Sequence, residues 1–89
     1  MATYVFDIDG TICTSTASDY ENAQPLQKRI EKVNKIYHDG HTVIFQTARG
    51  MGRSANSPAY ANTAFYEFTK NQLDSWGVNY HALFLGKPA

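Results

Sequence analysis

Thr3-Tyr4-Val5-Phe6-Asp7-Ile8-Asp9-Gly10-Thr11 is the stretch on which the reading of this chain turns. Residues 3–7 read as a buried β-strand, rich in β-branched and aromatic types. Side chains alternate along a strand, so Asp7 and Asp9 aim to the same side. Gly10 and Thr11 break the strand just beyond them, which leaves both acids at its carboxyl end. Open α/β sheets bind ligands at that end. Carboxylates this close repel each other unless a cation is shared or one acid holds a proton. The pair suits a divalent metal site, or one nucleophilic acid beside one general acid/base.

Outward from this stretch the chain alternates helix and strand signals, without an internal repeat or low-complexity linker. Thr14 to Ala17 is a small polar run, a loop by composition. Pro25 suits a first helical turn. Behind it Leu26, Ile30, Val33 and Tyr37 recur on one helical face, and Gly40 matches a C-terminal stop. Thr42-Val43-Ile44-Phe45 is a second apolar run, ending at Gln46-Thr47-Ala48-Arg49-Gly50. Residues 50–59, with Gly50, Gly52, Asn56, Ser57 and Pro58, read as a polar loop. A second helix is predicted from about Ala61 to Trp76, with Phe65, Phe68, Leu73 and Trp76 inward and Gly77 stopping it. Residues 80–85 form a third short strand, and Gly86-Lys87-Pro88 follows. The order β-α-β-α-β predicts an α/β fold with a parallel sheet and right-handed crossovers.

The chain has 89 residues, enough for one small domain, residues 1–89, whose core has little margin. Its formal net charge is zero and it carries no basic stripe, so no nucleic-acid partner is expected. Cys13 is the single cysteine, which excludes an internal disulfide and fits a reducing compartment. No apolar run approaches membrane-spanning length and the N-terminus lacks a signal-peptide pattern. A cytoplasmic domain without a membrane partner is expected.

In a parallel sheet the three strands deliver their trailing residues to one rim: Asp7 and Asp9, then Thr47, then Lys87. Carboxylates, a hydroxyl and an ammonium converging there make a pocket for a phosphoryl group. A carboxylate can attack phosphorus to form an acyl phosphate, while a hydroxyl and a lysine stabilise charge on the transferring oxygens. The cation expected is Mg2+, which favours carboxylates, waters and phosphate oxygens.

These residues resemble the haloacid dehalogenase (HAD) superfamily of phosphohydrolases. Asp7-Ile8-Asp9-Gly10-Thr11 fits its first motif, Asp-x-Asp-Gly-Thr. The apolar strand ending in Thr47 fits the second, and Lys87 the third. The resemblance implies a Rossmann-like three-layer α/β/α domain with a small parallel sheet and no large cap. Only residues 12–24 and 50–60 could cover the site. It also implies roles: Asp7 as nucleophile and magnesium ligand, and Asp9 as the acid that protonates the leaving group and then activates water. Asp9 would further bind magnesium through its backbone carbonyl. Thr47 would hydrogen-bond the phosphoryl oxygens and Lys87 would balance charge. Gly10, Thr11, Ala48 and Arg49 would complete the phosphate and substrate contacts. The wording Thr47-Ala48-Arg49-Gly50 looks most like small members described as capsule or polysaccharide biosynthesis phosphatases. The activity implied is magnesium-dependent hydrolysis of a small phosphomonoester, a sugar phosphate among the candidates.

One departure stands out. The family's fourth motif supplies one or two further acids on a strand shortly after the motif-three lysine, and no acid follows Lys87 before Ala89. Asp19, Asp39 and Asp74 are the remaining aspartates, and none follows an apolar strand. The sequence therefore reads as a C-terminally shortened or a naturally minimal member. In the family the missing strand lies beside the first, so Tyr4-Val5-Phe6 would be an open edge, which proteins seldom leave bare. A homodimer covering that edge is expected. The competing readings are a non-catalytic phosphate- or metal-binding module and an enzyme fragment.

Other residues divide by environment. Arg49 and Arg53 lie near the expected leaving-group position and read equally as contacts for an anionic substrate or as solvated loop arginines. Cys13 lacks a positive neighbour and reads as an inert thiol. His38 and His41 flank the helix stop and His81 alternates with core residues; all three read as structural. Phe65, Phe68 and Trp76 read as core rather than a stacking platform.

Overall fold

A computed structural model describes residues 1–17, 19–51 and 57–88. Its regular elements are β1 (Thr3–Phe6), α1 (Gln27–His38), β2 (Thr42–Thr47), α2 (Pro58–Ser75) and β3 (Ala82–Leu85). A single 3-10 turn, Tyr20–Asn22, interrupts the loop between β1 and α1. The strands form one parallel sheet in the order β1-β2-β3, with Phe6 beside Phe45 and Thr47 beside Leu85. This is the β-α-β-α-β order expected, with each boundary displaced by a few residues at most.

Strand order fixes where the helices lie. Two right-handed crossovers that step the same way along a sheet put both helices on one face. Burial agrees: Val43, Phe45, Thr47, Leu83 and Leu85 are buried on one side of the pleat, while Val5, Gln46 and Phe84 on the other are exposed. The described residues thus supply two of the three layers expected, the sheet and one helical layer. Both helices contribute to one core, in which Ile30 and Val33 of α1 and Ala61 and Leu73 of α2 pack with Ile8, Val43 and Phe45.

Local chemistry sets the helix ends. Gly40, at φ 94°, takes the left-handed conformation that closes α1 without a Cβ penalty. α2 begins three residues before the predicted Ala61 because Ser57 caps it. The Ser57 hydroxyl accepts from the Tyr60 N–H at 3.3 Å and Pro58 occupies the first turn. The residues of α2 fully buried are Ala61, Thr69 and Leu73, whereas Phe65, Phe68 and Trp76 are half-buried along its flanks. Small residues let the helix approach the sheet closely, which displaces the aromatics to the margins. The three histidines are structural. His81 Nδ1 accepts from the Val43 N–H at 3.0 Å and its ring stacks on Tyr37. His41 Nδ1 accepts from the Ala2 N–H at 3.0 Å, and His38 Nε2 pairs with the Asn79 amide. Among the described residues no helix is long and apolar enough to cross a membrane.

Candidate active site

Asp7 follows directly on β1 and remains half-exposed. Its Oδ1 accepts from the Ile8 N–H at 2.8 Å and its Oδ2 accepts from Lys87 Nζ at 3.1 Å. Eighty residues separate the partners, and the sheet joins them. The N–H groups of Gly86 and Lys87 both donate to the Thr47 carbonyl at 3.2 Å, which ties the end of β3 to the end of β2 and brings Lys87 to Asp7. Thr47 itself is buried, with its hydroxyl accepting from the Arg49 N–H at 3.2 Å. Asp7, Asp9, Thr47 and Ala48 line a common cavity of about 210 Å³ at the carboxyl end of the sheet. The structure therefore gathers Asp7, Asp9, Thr47 and Ala48 around one cavity, with Lys87 paired to Asp7 at its rim.

Gly10 and Thr11 stand elsewhere. The N–H groups of Thr11 and Ile12 donate to the Ile8 carbonyl, and Gly10 takes φ 80°, so the chain reverses immediately after Asp9. That turn presents the carbonyls of Gly10 and Thr11 to Arg29, whose Nη1 donates to them at 3.1 and 3.2 Å. Both residues line a separate groove beside α1, with Phe6, Ile12 and Val33. They shape the turn that carries Asp9 and are not among the residues lining the cavity.

Arg49 also departs from expectation. It lines the cavity, yet its side chain is fully buried and its donors point at protein acceptors. Nε donates to Asp9 Oδ2 at 3.0 Å and Nη2 to Asp9 Oδ1 at 2.9 Å, a two-point fork. Nη1 donates to Gln72 Oε1 at 2.7 Å and, more weakly, to the Thr69 hydroxyl at 3.4 Å. Nη2 also reaches Cys13 Sγ at 4.0 Å, and the guanidinium carbon sits 4.8 Å from the centre of the Tyr20 ring. Its shortest hydrogen bonds all go to protein acceptors, so the side chain of Arg49 is directed at Asp9 and α2. Arg53 lies outside the described residues.

A further wall of the cavity comes from the loop after β1. Ser15, Thr16, Ala17 and Tyr20 form it, part of residues 12–24, one of the two segments expected to cover the site. Thr14 and Gln24 pin the loop through two hydrogen bonds of 2.9 Å, and the Gly50 N–H donates to the Tyr20 hydroxyl at 3.3 Å. Ala17 adopts φ 48°, a left-handed conformation uncommon without glycine. The Thr16 hydroxyl is buried at this wall and has no hydrogen-bond partner among the described residues. Cys13 is buried below Asp9, and burial, reinforced by the Asp9 charge, pushes its thiol up to about 11. The thiol stays protonated at neutral pH, although, contrary to expectation, it has a positive neighbour in Arg49; burial outweighs that charge.

The remaining aspartates do not join the site. Asp39 and Asp74 pair with Lys35 and Lys70 along the exposed faces of their helices, and the hydrogen bonds from those lysines hold both carboxyls below the usual range. Asp19 accepts from the Asn22 amide. Among the described residues no three His, Cys, Asp or Glu side chains come together around a position for a metal ion.

The sheet and its crossovers define a small α/β domain of Rossmann type, with three parallel strands and two helices. No protein-family model and no curated protein matches the chain. Among solved structures, a structural-genomics target from Vibrio cholerae superposes with a TM-score of 0.92 at 28% identity, covering 100% of this chain and 72% of that one. The D,D-heptose 1,7-bisphosphate phosphatase from B. bronchiseptica, complexed with magnesium and phosphate, superposes with a TM-score of 0.64 at 17% identity. This chain spans 51% of the length of that phosphatase.

Proposed function

We propose that the chain is a magnesium-dependent phosphatase that hydrolyses a small phosphomonoester through an aspartyl-phosphate on Asp7. The observation that carries this reading is the Asp7 carboxylate beside a cavity shared with Asp9 and Thr47, with Lys87 Nζ 3.1 Å away. The fold shared with a phosphatase solved with magnesium and phosphate supports it. A carboxylate oxygen of Asp7 forms the bond to phosphorus as the bond from phosphorus to the leaving oxygen breaks. Asp9, entering the step protonated, gives its proton to that oxygen, and the carboxylate so formed later takes one from the water that hydrolyses the acyl phosphate. The Thr47 hydroxyl accepts from the Arg49 N–H, which leaves its own hydrogen for a phosphoryl oxygen. The Lys87 ammonium offsets charge on the phosphoryl group.

The donors available suit magnesium in a sparse form. The Asp7 carboxylate and the Asp9 backbone carbonyl are hard oxygen ligands, and magnesium commonly keeps several waters beside one or two carboxylates. Bound there, the cation would neutralise developing charge on the phosphoryl oxygens. Ser15, Thr16 and Tyr20 give the facing wall a polar lining, which suits a hydroxyl-rich leaving group such as a sugar.

A second reading, a non-catalytic phosphate- or metal-binding module, has its own observation: both Asp9 oxygens are engaged by Arg49. Initial-rate hydrolysis of para-nitrophenyl phosphate separates the two. Turnover that rises with added magnesium and disappears with a chelator is the expected result. Phosphate binding without any turnover would establish the module instead.

We further propose that a second copy covers the β1 edge. Among the described residues β1 pairs with β2 alone, and Tyr4 and Val5, on its two faces, are 37% and 57% exposed. An identical edge offers matching donors, acceptors and apolar side chains. Sedimentation equilibrium should give twice the chain mass at micromolar concentration, and a well-folded monomer there would overturn the assignment.

A further inference from the structure

We infer that Arg49 is the positioning residue for Asp9, and that α2 reaches the active site through it. This rests on the phosphatase reading above for its kinetic consequence, but not for its geometry. A short acid such as Asp9 can turn about two side-chain bonds, and only some of its rotamers face a leaving group above Asp7. The Arg49 fork removes that freedom by binding both carboxylate oxygens, at 2.9 and 3.0 Å. A fork fixes its partner only if it is fixed itself. Arg49 is 1% exposed, and Thr69 and Gln72 of α2 hold its remaining nitrogen.

Gln72 does more than accept. Its Nε2 donates to the Tyr20 carbonyl at 2.8 Å while its Oε1 takes the Arg49 Nη1. One amide thus joins the loop that walls the cavity to the arginine that holds the acid. Tyr20 closes the circuit, with its ring against the guanidinium and its hydroxyl on the Gly50 N–H. Asp9, Arg49, Gln72 and Tyr20 form a connected unit, so the geometry of the acid and the wall facing it are set together. A lysine in place of Arg49 would keep the charge but could not form the fork or reach Asp9, Gln72 and Thr69 at once.

The consequence appears in the step that needs the acid. Phosphomonoesters with poor leaving groups require protonation of the departing oxygen, whereas para-nitrophenyl phosphate departs largely unaided. Misplacement of a reacting group by about 1 Å can cost on the order of a hundredfold in rate. Arg49→Lys is expected to lower kcat for an alkyl phosphate roughly ten- to a hundredfold with little change in KM, and to lower it far less for para-nitrophenyl phosphate. Gln72→Ala, which leaves the fork but removes its brace, should show the same leaving-group bias in milder form.

The test has two arms. NMR relaxation of the Asp9 carboxyl carbon should report one ordered side-chain conformer in the native protein and several in Arg49→Lys, or in Gln72→Ala should the lysine variant not fold. An Asp9 that stays equally ordered without its brace overturns the inference, whatever the activity. In the kinetic arm, equal losses on both substrates would mean a general structural role and would also overturn it. A native protein without turnover would instead sink the phosphatase reading, and the relaxation arm would still decide whether Arg49 positions Asp9.

Discussion

Asp7→Asn is expected to lower magnesium-dependent phosphatase turnover by at least about a thousandfold, since removal of a nucleophile leaves only binding and electrostatic contributions. The amide has the shape of the acid, but it has lost the anionic oxygen that would attack phosphorus. It also loses the charge that draws Lys87 to 3.1 Å and that would hold a cation. The fold should not suffer. The Asp7–Lys87 pair is 40% and 42% exposed, and solvent-screened pairs contribute about 0–1 kcal/mol. Initial rates at saturating substrate, read beside the thermal midpoint, separate lost chemistry from lost structure. Native protein quenched during turnover should carry an acid-stable, hydroxylamine-sensitive phosphate that the variant lacks. A variant retaining more than about a tenth of native kcat, a change of under about 1.4 kcal/mol in barrier, would remove Asp7 from the nucleophile's role.

What could be read from the sequence follows from how each side chain is placed. The positions of Asp7, Thr47 and Lys87 are dictated by backbone: parallel strands of similar length deliver their trailing residues to one rim, and strand signals are local. Arg49 is different. Its place is set by Thr69 and Gln72, which lie 20 and 23 residues further along and three apart on one side of α2. Two polar residues beside the buried Leu73 were a usable signal, because polar groups on a buried helical face need partners. The arginine two residues after Thr47 was within reach of them. Gly10 and Thr11 were legible as a turn, but which groove they line depends on Arg29 of α1 drawing their carbonyls.

The layer count was hidden for a related reason. Thr42-Val43-Ile44-Phe45 is a continuous apolar run, the pattern of a strand covered on both faces. Such a run is silent about strand order, and order decides whether successive crossovers alternate faces. Here the sequential order sends both helices to one side, which buries Val43 and Phe45 and leaves Ile44 only half-covered.

This one-sided core makes Phe45 the residue whose loss should unfold the domain. It is fully buried in the central strand, with its ring 6.0 Å from Phe6 and 5.9 Å, edge-on, from Tyr80. Phe45→Ala is expected to cost about 3–5 kcal/mol, transfer and cavity terms together. Domains this short hold stabilities near the lower end of about 5–15 kcal/mol, so the variant would stand close to its unfolding threshold. At about 4–8 °C per kcal/mol, its midpoint in a circular-dichroism melt should fall by roughly 12–40 °C. Phe84 lies on the opposite face of β3 and is 56% exposed. Phe84→Ala should therefore shift the monomer's midpoint by only a few degrees. If a second copy also seats on that open face, the Phe84 effect will grow with protein concentration while the Phe45 effect stays constant, because only association depends on mass action. Equal losses in the dilute monomer would show that the core is not confined to the helical side of the sheet.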